Sequence, residues 1–333
     1  LFPRAIWPQL FGIMSAIWGV AAFGGPLLGA LISTAFGWRW AFGVFTFAGF
    51  AMAAVSYAAL SMPEARRVGT RRPPPFPYAP LATLGAAVIL IALAGVDVSP
   101  YRSTALFAAG VIGLALFFRV DAAMPRSRLF PRRPFDWATS LGSGMTMVAA
   151  LSVSTVSFAI YAPLLLTSLH GIPVLTVGYI IAAESIAWSI LSILVAGSPP
   201  RHERLIIVGG AFMITAGLAG FSVAIPAGNI PAILFCALLQ GGGFGIAWPF
   251  ATRIIVASAP AEESTIAASA VPALQRIGYA TGAAAAGIVA NATGFADGLS
   301  GETAESVARW LFLAFLPLAL VGCAAAVRMS RVK

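Results

Sequence analysis

The sequence predicts an all-α, polytopic membrane protein, a bundle of about ten transmembrane helices. Three observations predict it. Apolar residues make up 59% of the chain and charged residues only 9%, against about 25% charged in a soluble domain; so little charge cannot cover a water-facing surface. The apolar residues fall in runs of roughly 20, the length that crosses a bilayer as a helix. The basic residues sit in short clusters between the runs, as membrane loops carry them. That distribution also argues against nucleic acid as the partner of a chain with a net charge of +9, because nucleic-acid binding gathers basic residues on one folded surface.

The runs, in order, are 11–34, 40–61, 80–97, 103–120, 137–162, 174–197, 205–225, 230–252, 266–291 and 309–328. Gly and Pro recur inside them, which membrane helices tolerate because neighbouring helices re-satisfy freed backbone groups. Barrel strands would alternate over about ten residues instead of running unbroken. Before the first run, residues 1–9 have no basic start leading into an apolar core, so they do not read as a signal peptide. The chain begins at Leu1 and not at Met; the opening reads as a loop entered midway, with the true N-terminus expected upstream. After the second run, "PEARRVGTRRPPPFPYAP" (63–80) is proline-rich and reads as a linker, since proline precludes a regular helix. The third and fourth runs form a hairpin with a short turn. "RVDAAMPRSRLFPRRPFDW" (119–137) reads as a second linker, and six runs follow it. The expected division is therefore 1–62, 63–136 and 137–333.

Arginine placement orients the bundle. One set of alternate loops holds Arg4, Arg66, Arg67, Arg71, Arg72, Arg119, Arg126, Arg128, Arg132, Arg133, Arg201, Arg204, Arg253, Arg328, Arg331 and Lys333, which is 16 of the 20 basic residues. The opposite set holds Arg39, Arg102 and Arg309. The first loop and the C-terminus are thus expected in the cytoplasm, and Asp297, Glu302 and Glu305 outside. Asp97 and Asp136 fall at run ends, His170 in an outer loop and His202 in a cytoplasmic one. Cys236 and Cys323 lie inside apolar runs with no spacing that implies a disulfide framework or a metal site. No Gly-x-x-x-x-Gly-Lys-Ser/Thr loop for ATP occurs. No metal or cofactor is expected.

Glu184, in "GYIIAAESIAWSI" (178–190), is the one acid deep within a run. It lies about ten residues, or roughly 15 Å, from either end. A charged acid at that depth costs about 2.5–3.5 kcal/mol or more, so the group must be protonated, paired or facing a water-filled cavity. It reads either as a proton-coupling or cation-binding group or as a protonated acid that joins two helices. Trp188, one turn on, either lines the same cavity as an aromatic face for a cation or packs. Arg276, counted back about 20 residues from Asn291, falls near the cytoplasmic end of its run. There it snorkels or pairs with a cavity acid, with Pro272 marking either a kink or the helix start. Gln240 and Tyr161 read as interhelical hydrogen-bonding residues or, less simply, as substrate contacts.

"GVAAFGGPLLGALI" (19–32) followed by "GWRWAF" (37–42) resembles the antiporter motif of the major facilitator superfamily. Gly25, Pro26 and Gly29 match it, and Ala21 and Ala30 stand where the motif has glycine. "QGGGFGIAWP" (240–249) and "QRIGYATGAAAAG" (275–287) resemble the tenth-helix counterpart and the penultimate helix of its fourteen-helix drug:proton antiporter group. "GSPPRHER" (197–204) occupies the place where the superfamily's cytoplasmic loop motif has its weaker second copy, and it keeps a glycine and arginines but lacks the aspartate. The resemblance implies a bacterial inner-membrane transporter whose first four helices precede Leu1. It would exchange protons for amphipathic or cationic small molecules by alternating access. Physically, Gly25 and Gly29 share a helix face and Pro26 favours a bend, giving close packing or a seal that moves during rocking. A facilitator or proton symporter is the alternative within transport. A polytopic membrane enzyme and a non-functional transporter fragment are the readings outside it, but scattered acids do not suit an enzyme.

Overall fold

The computed structural model describes residues 21, 24–25, 28–29, 31–60, 75–95, 99–295 and 301–331. Contacts divide the chain into two compact units, Leu1–Pro75 and Phe76–Lys333. Among the described residues every regular element is helical and none is a strand, so the expected all-α class holds.

In the first unit, residues 31–36 are helical and Gly37 breaks the helix with φ +90°, a conformation that favours glycine. Helix α1 (Trp38–Leu60) follows. It is apolar around its whole circumference, as a membrane helix is, and the Arg39 guanidinium stands 4.5 Å from the Trp38 ring centroid at its start.

The second unit holds α2 (Tyr78–Ala94), α3 (Pro100–Ala122), α4 (Ser140–His170), α5 (Val174–Val195), α6 (Glu203–Ala224), α7 (Ile230–Ala257), α8 (Ser264–Ala292), α9 (Gly301–Leu313) and α10 (Leu316–Met329). Seven stretches among the described residues are long and apolar enough to span a membrane: Trp38–Ala59, Tyr101–Ala122, Ser140–His170, Val174–Val195, Glu203–Ala224, Ile230–Ala257 and Thr303–Met329. The first expected run lies largely outside the described residues. Tyr78–Ala94 is shorter, at 17 residues, and α8 is a continuous helix of 29 residues that carries Gln275 and Arg276 within its apolar stretch.

Glycine sets the helix spacing. In the α2–α3 hairpin, Gly110 leaves room for Ile91, and a Cβ on Gly113 would stand 2.9 Å from that of Ala87. Gly278 and Gly282 of α8 lie against Ser152 and Val153 of α4, and Gly210 of α6 against Gly243 of α7. Such contacts replace the hydrophobic drive that lipid does not supply between helices.

Three boundaries correct the sequence reading. Helix α4 runs through Pro163 to His170, so Tyr161 is inside a helix. His170 ends that helix instead of lying in a loop, and its Nε2 is 2.7 Å from the Ile225 carbonyl. Glu302 and Glu305, read as loop residues, belong to α9, which precedes a break at residues 314–315 and then α10. The third correction concerns 119–137. Helix α3 continues to Ala122, and the rest is a packed turn. Asp121, 1% exposed, accepts hydrogen bonds from the Leu129 and Phe130 amides at 2.8 and 2.9 Å. Phe117, Phe118, Phe130 and Phe135 cluster edge to face above it. Arg128 pairs with Glu263 at 2.9 Å, and Glu263 also takes the Arg132 amide.

The Asp121 contacts predict the behaviour of this turn. Asp121→Ala leaves the buried Phe130 N–H and the partly buried Leu129 N–H without their acceptor, the buried one costing about 1–3 kcal/mol. Hydrogen–deuterium exchange of the purified protein should show the amides of residues 126–133 losing protection. Protection equal to that of the wild type would show that the carboxylate does not hold the turn.

Candidate functional site

The site forms along the seam of α5 and α7, with α8 packed on α7. Helix α7 carries Gly241 and Gly245 four residues apart, hence on one face. A Cβ on Gly241 would collide with the backbone of Glu184, and one on Gly245 with the backbone of Trp188. The missing side chains let α5 and α7 touch backbone to backbone, as small residues do between membrane helices.

This approach brings two predicted residues together. Gln240 donates from Nε2 to Glu184 Oε1 at 2.8 Å. Gln240 is 1% exposed, Glu184 is partly buried, and the other amide atom, Gln240 Oε1, is buried without a hydrogen-bond partner among the described residues. A carboxylate or carboxylic acid held this way can accept a proton, donate one to the amide oxygen if the amide turns over, or face a cation.

One turn along α5, the Trp188 ring stacks on Phe244 with centroids 4.8 Å apart and planes 6° from parallel. Trp248 completes the group, 6.0 Å from Trp188 and 5.6 Å from Phe244. Gln240, Phe244 and Trp248 recur every four residues on α7 and so form a ladder facing the Glu184–Trp188 edge of α5. Phe244 is 1% exposed, so Trp188 and Trp248, both partly buried, are the rings of this group that offer a face to a cation or a flat apolar molecule.

Helix α8 packs against α7. Tyr279 stands within electrostatic reach of Glu184 and of Arg276. Its hydroxyl takes a 2.9 Å hydrogen bond from Gln275 Nε2, and the Arg276 guanidinium lies 6.0 Å from its ring centroid. Because α8 begins at Ser264, Pro272 is internal. Arg276 then sits near mid-helix, not near an end as the count from Asn291 gave. Its side chain is exposed.

Tyr161 stays apart. It lies edge-on to Phe295 at 6.1 Å and its hydroxyl faces Gly287, two turns along α8 from Tyr279. Of the antiporter-motif residues, Gly25 and Gly29 are helical, and a Cβ on either would meet nothing within 4 Å among the described residues. Pro26 lies outside the described residues. Sequence reasoning passed over Tyr279, Gln275, Phe244 and Trp248. The four-residue spacing of Gln275 with Tyr279, and of Gln240 with Phe244 and Trp248, was the available signal. Among the described residues no group of three His, Cys, Asp or Glu could hold a metal.

Comparison with known proteins places this geometry in context. Residues 1–226 match the family model of the Major Facilitator Superfamily. A "Probable multidrug-efflux transporter" of Mycobacterium tuberculosis is 32% identical, over 96% of this chain and 68% of its own length. A multidrug transporter protein of Bacillus subtilis is 24% identical over 84% of this chain and 52% of its own. The methylenomycin A resistance protein of Streptomyces coelicolor is 26% identical over 86% and 60%.

The glycine seam yields a direct test. Gly241→Val forces α7 away from α5, and overpacking of this kind costs about 1–3 kcal/mol. The variant should melt several degrees below the wild type in detergent. Gly209→Val, at a position with open space, should not. Equal melting of the two variants would mean that the seam does not set the helix spacing.

Proposed function

The chain belongs to the major facilitator superfamily, a family of membrane transporters and not enzymes, and on that footing we propose that it exports amphipathic or cationic small molecules in exchange for protons. The Glu184–Gln240 pair beside the Trp188–Phe244–Trp248 wall is the observation that carries this reading. A carboxylate one helical turn from the Trp188 ring suits an amphipathic cation, with charge at one point and apolar area beside it.

In this proposal Glu184 holds either the proton or the cation, never both. The carboxylate form attracts a cationic substrate to the aromatic wall. Protonation removes that attraction and releases it, so inward movement of a proton drives outward movement of substrate. Gln240 serves both forms: its Nε2 donates to the carboxylate, and its turned-over amide accepts from the acid. Tyr279 and Arg276 form the rim through which the proton leaves. Alternating access would come from rocking of the two halves around this point.

The finer placement is part of the same proposal. Residues 1–62 are the last two helices of the N-terminal half, with Gly25, Pro26 and Gly29 as their packing face. Residues 63–136 are linkers and an inserted hairpin, and 137–333 the six-helix C-terminal half of a fourteen-helix antiporter. The C-terminus lies in the cytoplasm, at the inner membrane, as the loop arginines direct. The multidrug-efflux and resistance names of the relatives support export.

The test is proton release. Adding tetraphenylphosphonium to the purified full-length protein in weakly buffered detergent should acidify the solution, and Glu184→Gln should abolish the signal. No release by the wild type, or undiminished release by the variant, would overturn antiport through Glu184. Trp188→Ala should weaken binding of the same cation by about fivefold, as loss of one cation–π contact predicts; unchanged affinity would remove Trp188 from the site.

A further inference from the structure

Away from the Glu184 site, an open groove of about 330 Å³ lies between the start of α6 and the end of α10. Arg201, Arg204 and Arg331 line it together with Leu205, Val208 and Val327. All three arginines are exposed, and among the described residues none of them makes an ion pair. The neighbouring charges are committed elsewhere. Glu203 pairs with Arg253 at 2.5 Å, and Arg328 donates from Nε to the Trp137 carbonyl. Three guanidiniums therefore line one groove, and among the described residues no carboxylate pairs with them.

The other half of the lining is apolar, and Leu205, directly after Arg204, is 73% exposed. An inorganic anion has no use for such a flank. A phospholipid does, since its phosphate meets guanidinium geometry while its acyl chain needs an apolar track. Basic pockets between membrane helices at the helix ends suit anionic headgroups for this reason.

We propose that this groove is a binding site for an anionic phospholipid, with its phosphate held by Arg201, Arg204 and Arg331 and its acyl chain laid along Leu205, Val208 and Val327. The site joins α6 to α10 from outside, at the end opposite the turn where His170 meets Ile225. It does not depend on how Glu184 works.

Native mass spectrometry of the purified full-length protein tests it, with dioleoylphosphatidylglycerol, dioleoylphosphatidylcholine and inorganic phosphate as separate probes. Phosphatidylglycerol should be retained in preference to phosphatidylcholine. Arg204→Gln and Arg331→Gln should each weaken that retention about fivefold, and the Lys substitutions should weaken it less. Arg133→Gln, which removes the same charge from an 80% exposed side chain, should leave it unchanged. Melting temperatures measured alongside separate loss of binding from loss of folding. Equal losses in Arg133→Gln, equal retention of phosphatidylcholine, or displacement of phosphatidylglycerol by millimolar phosphate would each overturn the proposal, the last by marking a free-anion site.

Discussion

The contact between the backbones of α5 and α7 decides where everything near the candidate site can be. Gly241 and Gly245 have no side chains to keep the helices apart, so Glu184 and Trp188 sit directly against them. At that distance Gln240 donates to Glu184 Oε1. The hydrogen bond thus spans a seam that two glycines keep close.

The same device is repeated through the second unit and fixes its other helices. Gly243 faces the opposite way from Gly241 and Gly245 on α7, and meets Gly210 of α6. Helix α7 is therefore held on two sides by close backbone contact, with Gln240 and the aromatic ladder between. On α8, Gly278 and Gly282 seat that helix on α4, which leaves Gln275, Arg276 and Tyr279 on neighbouring positions around it. Thr215 of α6 adds a polar tie to α10, with its Oγ1 3.0 Å from Cys323 Sγ. In lipid such ties and close contacts stand in for a hydrophobic core drive.

How much of this the sequence discloses depends on the range of each interaction. The helical class is legible because every spanning segment must satisfy its own backbone bonds and face lipid, so the apolar run reports the helix. Glu184 is legible for the same reason, as an acid that lipid would not tolerate without a purpose. Helix ends are less legible. Pro163 does not stop α4, and the charged start of α9 hides a helix that precedes the apolar stretch. Asp121 looks like a residue at the edge of a linker, but its bonds to Leu129 and Phe130 fold that linker into a turn. The pairing of Glu184 with Gln240 spans 56 residues. No local pattern states it, although the four-residue ladder from Gln240 to Trp248 shows that one face of α7 is polar and aromatic together.

The central claim is that Glu184 and Gln240 act as one unit in cation binding. A double-mutant cycle measures this directly, with tetraphenylphosphonium affinity determined for the wild type, Glu184→Gln, Gln240→Leu and the double variant. A joined pair predicts that the second substitution costs little once the first is made, a coupling of about 1 kcal/mol. Losses that simply add would contradict the account, because they would mean that the two side chains bind the cation independently or that only one of them does.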